Sequence, residues 1–147
     1  MKTLATIVVL AGLLSPTAVW ATEAKPDEKE VTLYKNPQCT CCEGYAAYLR
    51  KNGFSVKVIA TQDLTLIKKE HGVPEALEGC HTSIIDGYVV EGHVTVDLIN
   101  RLLTEKPHIT GISLPGMPMG PPGMDGPKSG PLEVYEIAPG APVYGTE

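Results

Sequence analysis

Proline and glycine are spread so unevenly along this chain that they set the limits of its fold. Eight of the 15 glycines and eight of the 13 prolines lie within residues 111–145. Proline fixes φ and removes a backbone donor, and glycine weakens helix and strand alike. The stretch 111–131 (GISLPGMPMGPPGMDGPKSGP) therefore can hold neither element for long. The packed domain is expected mostly before residue 111, as residues 31–110, and 147 residues have room for one such domain. Residues 111–147 read as an extension. In it LEVYEI, residues 132–137, is β-prone and expected to return as an edge strand, with the last residues loose.

The other end carries an export pattern. Lys2 precedes an apolar run from Leu4 to Leu14, which Ser15-Pro16 breaks, and Val19 and Ala21 sit at −3 and −1 of a cleavage site. The run is too short to span a bilayer comfortably. Residues 1–21 thus read as a cleaved signal peptide and the polar 22–30 as a flexible lead-in, with no membrane contact after cleavage. A formal net charge of −5 with scattered lysines has no footprint for nucleic acid.

Between these ends the pattern predicts a compact α/β unit. Residues 31–35 (VTLYK) alternate as a strand before Asn36-Pro37. Residues 41–52 read as a helix burying Tyr45, Ala46, Tyr48 and Leu49, stopped by Gly53. Residues 54–60 give a second strand, and Asp63 is placed to cap a short helix ended by Gly72 and Pro74. Strands at 81–86 and 88–94 turn at Asp86-Gly87. Thr95 is placed to cap a last helix with Leu98, Ile99, Leu102 and Leu103 inward, and Val94 against Ile99 as a staple. The order β-α-β-α-β-β-α is that of the thioredoxin fold, with the Pro/Gly/Met-rich extension after it. The crossover makes the first two strands parallel and the hairpin antiparallel.

Three of the four cysteines crowd together as Cys39-Thr40-Cys41-Cys42, between the first strand and the first helix. A disulfide framework would space them out. Near a helix start, free N–H groups and the dipole favour a thiolate. Two chemistries follow. Cys39 and Cys42 form a C-x-x-C pair suited to reversible dithiol–disulfide exchange. Alternatively, the cluster with Cys80, which precedes the third strand and faces the first helix start in this layout, makes a four-thiolate nest for a soft ion.

Zinc accepts four thiolates, but zinc ribbons use two spaced pairs, and Cys80 stands alone. Met117, Met119 and Met124 lie in a loop with little core to fill, and thioethers suit Cu(I). The plainer reading is that they pack the loop onto the domain. His81 is the best histidine candidate for a ligand or a ligand's support. As the first residue of a strand it would point away from Cys80. His93 is placed to join it. His71 reads as a favourable charge at a helix C-terminus, His108 as a surface residue, Tyr34, Tyr45 and Tyr48 as core, and Lys68-Lys69-Glu70 as a solvated helix face.

The runs LYKNPQCTCC, GCHTSIIDGYVVEGHV and PGMPMGPPGM resemble the CopG-like copper-resistance proteins, exported bacterial proteins of thioredoxin-like fold. The resemblance spans about residues 31–137. It implies copper binding by Cys39, Cys41, Cys42 and Cys80 and a role in copper handling or tolerance in the periplasm, while the crowding of the thiols itself leads to the expectation that short bridging thiolates support more than one Cu(I). Copper efflux or oxidase proteins of that compartment are the expected partners. Met117 and Met124 fall on the family's methionine positions; Met119 and Pro121 read as local variation. Thr95 stands where the family commonly has proline, which concerns the helix start rather than the metal.

The competing expectation is a thiol oxidoreductase of the glutaredoxin or arsenate-reductase kind, using Cys39 and Cys42. Against it, Cys80-His81-Thr82 occupies the place where such enzymes carry a cis-proline. After the signal peptide the only arginines are Arg50 and Arg101, both on predicted helices, too few for an oxyanion clamp. A zinc-stabilised module leaves the methionine loop unexplained.

Overall fold

The computed structural model describes residues 29–147. The signal-peptide expectation for residues 1–21 lies outside the described residues, as does most of the 22–30 lead-in. Lys29 and Glu30 depart from that lead-in: they pair with Phe54 and Ser55 and begin the first strand.

Strand β1 (Lys29–Lys35) leads into helix α1 (Thr40–Lys51), then β2 (Phe54–Ala60) and α2 (Leu64–Glu70). A 3-10 turn at Glu75–Leu77 precedes β3 (His81–Ile85) and β4 (Tyr88–Glu91), and α3 (Val96–Glu105) follows. Then come β5 (Gly111–Ser113), β6 (Glu133–Ile137) and β7 (Val143–Thr146). All seven strands form one mixed sheet in the order β2-β1-β3-β4-β5-β6-β7. β1 and β2 are parallel, and β3 is antiparallel to both β1 and β4. The β3–β4 turn has φ 48° at Asp86 and 83° at Gly87, the pair of positive values that a two-residue hairpin needs.

The extension departs from expectation. β6 is not an edge strand and the last residues are not loose: β7 pairs outside β6 and takes the edge. Residues 111–113 are short enough to pair parallel with β4 before the prolines begin. The hydrophobic pattern of the tail explains this, because Ile112, Val134 and Tyr144 are all buried in the main core. The Gly/Pro stretch marks a long connection within one sheet, rather than the end of packing.

Strand alternation splits the core in two. Val31, Leu33, Ile85, Val90 and Ile112 join Tyr45 and Leu49 of α1 and Ile99 and Leu102 of α3 in one cluster. Val89 and Ile137 point to the opposite face, where Val73 and Leu77 cover them. Neither expected cap forms with its side chain. Thr95 stands at the start of α3, but the N–H groups there go to others: Thr95 N–H to Glu147 Oε2 at 2.8 Å and Val96 N–H to the Tyr48 hydroxyl at 2.9 Å. Asp63 makes no side-chain cap either; its N–H donates to Thr61 Oγ1 at 3.0 Å. Among the described residues no helix is long and apolar enough to cross a membrane.

Candidate metal centre

The cysteine motif sits on the turn from β1 to α1. Gln38 N–H donates to Asn36 Oδ1 and Cys39 N–H to Asn36 O, both at 3.0 Å, so Asn36 closes the turn. Cys39 takes the helix start, and Cys41 and Cys42 fall in the first turn. From below, the buried Lys35 ammonium donates to the carbonyls of Asn36, Pro37 and Cys39, the last at 3.1 Å, and pairs with Glu43 at 3.0 Å. Lys35 was not singled out in the sequence. Its place in a strand that alternates inward at Val31, Leu33 and Lys35 was the available signal.

Cys80 arrives from the far side of the sequence, as expected. Its Sγ lies 3.7 Å from Cys42 Sγ and 3.9 Å from Cys41 Sγ, and Cys39 Sγ is 3.3 Å from Cys41 Sγ. The four sulfurs all lie within 4.8 Å of one another. The crowding expected to oppose disulfides does not do so for the outer pair. One helical turn brings the Cys39 and Cys42 Cα atoms to 5.6 Å, within disulfide reach, and they are bonded, leaving Cys41 and Cys80 as free thiols. Burial first, then the adjacent Cys41, pushes the Cys80 thiol up to about 12.

Both candidate histidines converge on Cys80. His93 Nε2 is 2.9 Å from its Sγ, and His81 Nδ1 is 3.3 Å from it. His81 thus does not point away from Cys80. Cys80 lies outside β3, in a bend, so strand alternation does not govern it. The Nδ1–H of His93 donates to Pro122 O at 2.6 Å, which leaves the Nε2 lone pair facing the sulfur. Burial holds His81 well below the ordinary imidazole range, with His93 adding to the effect, and burial lowers His93 too. His81 Nε2 is buried without a partner. Tyr45 is core, as expected, and it also walls the pair, its ring 4.5 Å from His81 and 5.2 Å from His93. His71 ends α2 and His108 is exposed, outside the site.

The Pro/Gly loop folds back over the site with its backbone. Gly123 has φ +82°, and a Cβ there would come within 2.5 Å of Tyr45 N and 2.9 Å of Cys41 O. Met117 and Met119 are 66% and 56% exposed, and Met124, next to Gly123, is half-buried. Gly123→Ala should therefore lift residues 121–124 and break the Pro122–His93 bond. The expected result is thiol-reagent modification of Cys41 at least about tenfold faster, as for a locally opened segment. An unchanged rate would show that the loop does not shield the site.

Of the helix face expected to be solvated, Lys69 and Glu70 are exposed, but Lys68 departs from it. Lys68 is 3% exposed, and its ammonium pairs with the fully buried Glu91. Glu91 Oε2 accepts from Thr82 Oγ1 and Oε1 from Gly79 N–H, each at 2.7 Å. In a helix of only seven residues the orientation of Lys68 is illegible without the sheet beneath it.

With the Cys39–Cys42 bond reduced, the four sulfurs and two neutral imidazoles, one with an orphaned nitrogen, would fit a soft metal ion such as Cu(I). Residues 77–124 match the family model described as "Protein of unknown function, DUF411". No curated protein sequence matches the chain. Two solved structures, named copper resistance protein CopG in a Form 1 and a Form 2, are each 32% identical with a TM-score of 0.76. They cover 82% of this chain, which spans 98% and 99% of theirs respectively. At that identity and coverage, the chain belongs to the CopG family of copper resistance proteins.

Proposed function

We propose that this protein is an exported copper-handling protein that binds Cu(I) through Cys39, Cys41, Cys42 and Cys80, in the periplasm, on a thioredoxin-like core. The convergence of four sulfurs from two distant segments carries this reading. The β2-β1-β3-β4 order with α1 after β1 supports the core assignment. His93 and His81 would add nitrogen ligands or orient Cys80, and Met117 and Met124 would serve at the rim. Bridging thiolates would let the site take more than one ion. Soft thiolate and thioether ligands select Cu(I) over harder ions.

All four sulfurs are available only after an external dithiol gives two electrons and two protons to the Cys39–Cys42 bond, which opens to two thiols while the donor closes to its own disulfide. Binding then requires each ligating thiol to lose its proton. Burial disfavours the Cys80 thiolate, so copper must displace a proton from that thiol. Affinity should fall with acidity, by roughly a factor of ten per pH unit for each proton displaced. Chelator competition at pH 6, 7 and 8 under reducing conditions measures the slope. A flat profile would rule out entry of Cu(I) onto a protonated Cys80. Export is checked by the N-terminus of the protein recovered from cells, expected at Thr22.

A second reading is favoured by one observation, the Cys39–Cys42 disulfide at the strand-to-helix turn. It is a thiol oxidoreductase cycling that pair. A disulfide-reductase assay on the metal-free protein separates the two. Brisk turnover supports the enzyme, and tight Cu(I) uptake without turnover supports the carrier.

A further inference from the structure

Cys80 is the only thiol of the cluster not carried by the β1–α1 turn, so something must hold it in place. The segment Gly79–Thr82 is gripped at both ends by one carboxylate. Glu91 Oε1 accepts the Gly79 N–H, and Oε2 accepts the Thr82 hydroxyl proton. Lys68 in turn donates to Thr82 Oγ1 at 3.2 Å and to Glu91. Thr82 and Glu91 are direct partners in the β3–β4 ladder, so their side chains share a sheet face. His81, the next residue along β3, turns to the opposite face and lies against Tyr45 of α1. The grip therefore comes from behind the sheet, while the sulfur stands in front.

The backbone closes the same unit. Gly92 N–H donates to His81 O at 3.1 Å, and Leu114 N–H to Glu91 O at 3.0 Å. A Cβ at Gly79 would meet Gly92 Cα at 2.7 Å, so these two chain segments touch. Glu91 is two residues before His93, whose Nε2 faces Cys80. The carboxylate thus holds residues on both sides of Cys80, and His93 follows two residues after it in the chain.

A buried ion pair is an expensive way to fill this space. Apolar side chains of similar volume are often as stable or more so. What apolar groups cannot do is direct the Gly79 N–H and the Thr82 hydroxyl to fixed points. We propose that Lys68, Thr82 and Glu91 are positioning residues that set the Cys80 sulfur against Cys41 and Cys42, an inference that rests on the thiolate reading of the site.

The test compares the wild type, Glu91→Gln, and the triple variant Lys68→Met/Thr82→Val/Glu91→Leu, each reduced. Glu91→Gln keeps an acceptor for the Gly79 N–H but leaves the buried Lys68 ammonium without its counter-charge, so it should melt below the wild type while its Gly79 amide still exchanges slowly. The triple variant should stay folded, with a near-native melting curve. Its metal-free form should exchange the Gly79 amide at least about tenfold faster. Its Cu(I) affinity should fall about 10–100-fold, the usual cost of losing a group that orients a ligand. A triple variant with wild-type exchange and affinity overturns the proposal. So does one that fails to fold, since the trio would then be a folding element. If the wild type itself fails to bind Cu(I), the thiolate reading falls, and the amide exchange alone still decides the clamp.

Discussion

Cys80→Ser should lower Cu(I) affinity more than any other single change in the site, by over about 100-fold, beyond the 10–100-fold typical of a residue that only orients a ligand. The reason is position. Cys80 Sγ is 3.7 and 3.9 Å from two other sulfurs and 2.9 and 3.3 Å from two imidazoles, so it touches both halves of the cluster. Serine keeps the shape but offers a hard oxygen that does not ionise in this pH range, and soft Cu(I) selects against it. The number of ions bound should fall with the affinity. Met117→Leu is the contrasting control: at 66% exposure its thioether should cost less than about tenfold. Titration of reduced protein against a competing chelator reads both. Cys80→Ser protein that stays within tenfold of wild type would sink the four-thiolate site.

The parts of this site that were legible in the sequence have local causes. Strand β2 and the α1 stop at Gly53 follow from alternation and from a positive φ that glycine accepts, here +87°. Asp86-Gly87 announces its own turn. The meeting of Cys80 with the helix start is a long-range contact, yet it follows once the strand order is read. What stayed hidden depends on contacts that no local period encodes. Lys68 looks like any lysine of a Lys-Lys-Glu run, and only the sheet beneath α2 turns it inward to Glu91. Strand alternation does not place His81 relative to Cys80, because Cys80 precedes the ladder. The tail was cut short because proline and glycine disfavour strands locally, whereas Val134, Ile137 and Tyr144 gain more by burial than the loop costs to close.

Glu91→Ala should be the most destabilising substitution in the α2–β4 region, by about 3–5 kcal/mol, because it strands a buried ammonium. For a domain of this size that is a melting point lower by roughly 10–20 °C. Lys68 has few alternatives, since its ammonium is 4% exposed at the side chain and its remaining neighbour there is the Thr82 hydroxyl. Alanine also leaves the Gly79 N–H and the Thr82 hydroxyl without their acceptor. The intact pair need not be a net stabiliser for this to hold. Burial pushes the Glu91 carboxyl above its ordinary range even with Lys68 beside it. A carboxyl raised in the folded state adds stability at low pH that is lost as pH rises through the folded value. Ionising Glu91 therefore costs stability, and removing both charges together should recover most of what removing one loses. Thermal melts of Glu91→Ala, Lys68→Met and the double variant Lys68→Met/Glu91→Leu form the comparison. The double variant should melt well above Glu91→Ala. Additive losses would mean that the two charges act independently and that the buried pair is not the unit holding α2 to β4.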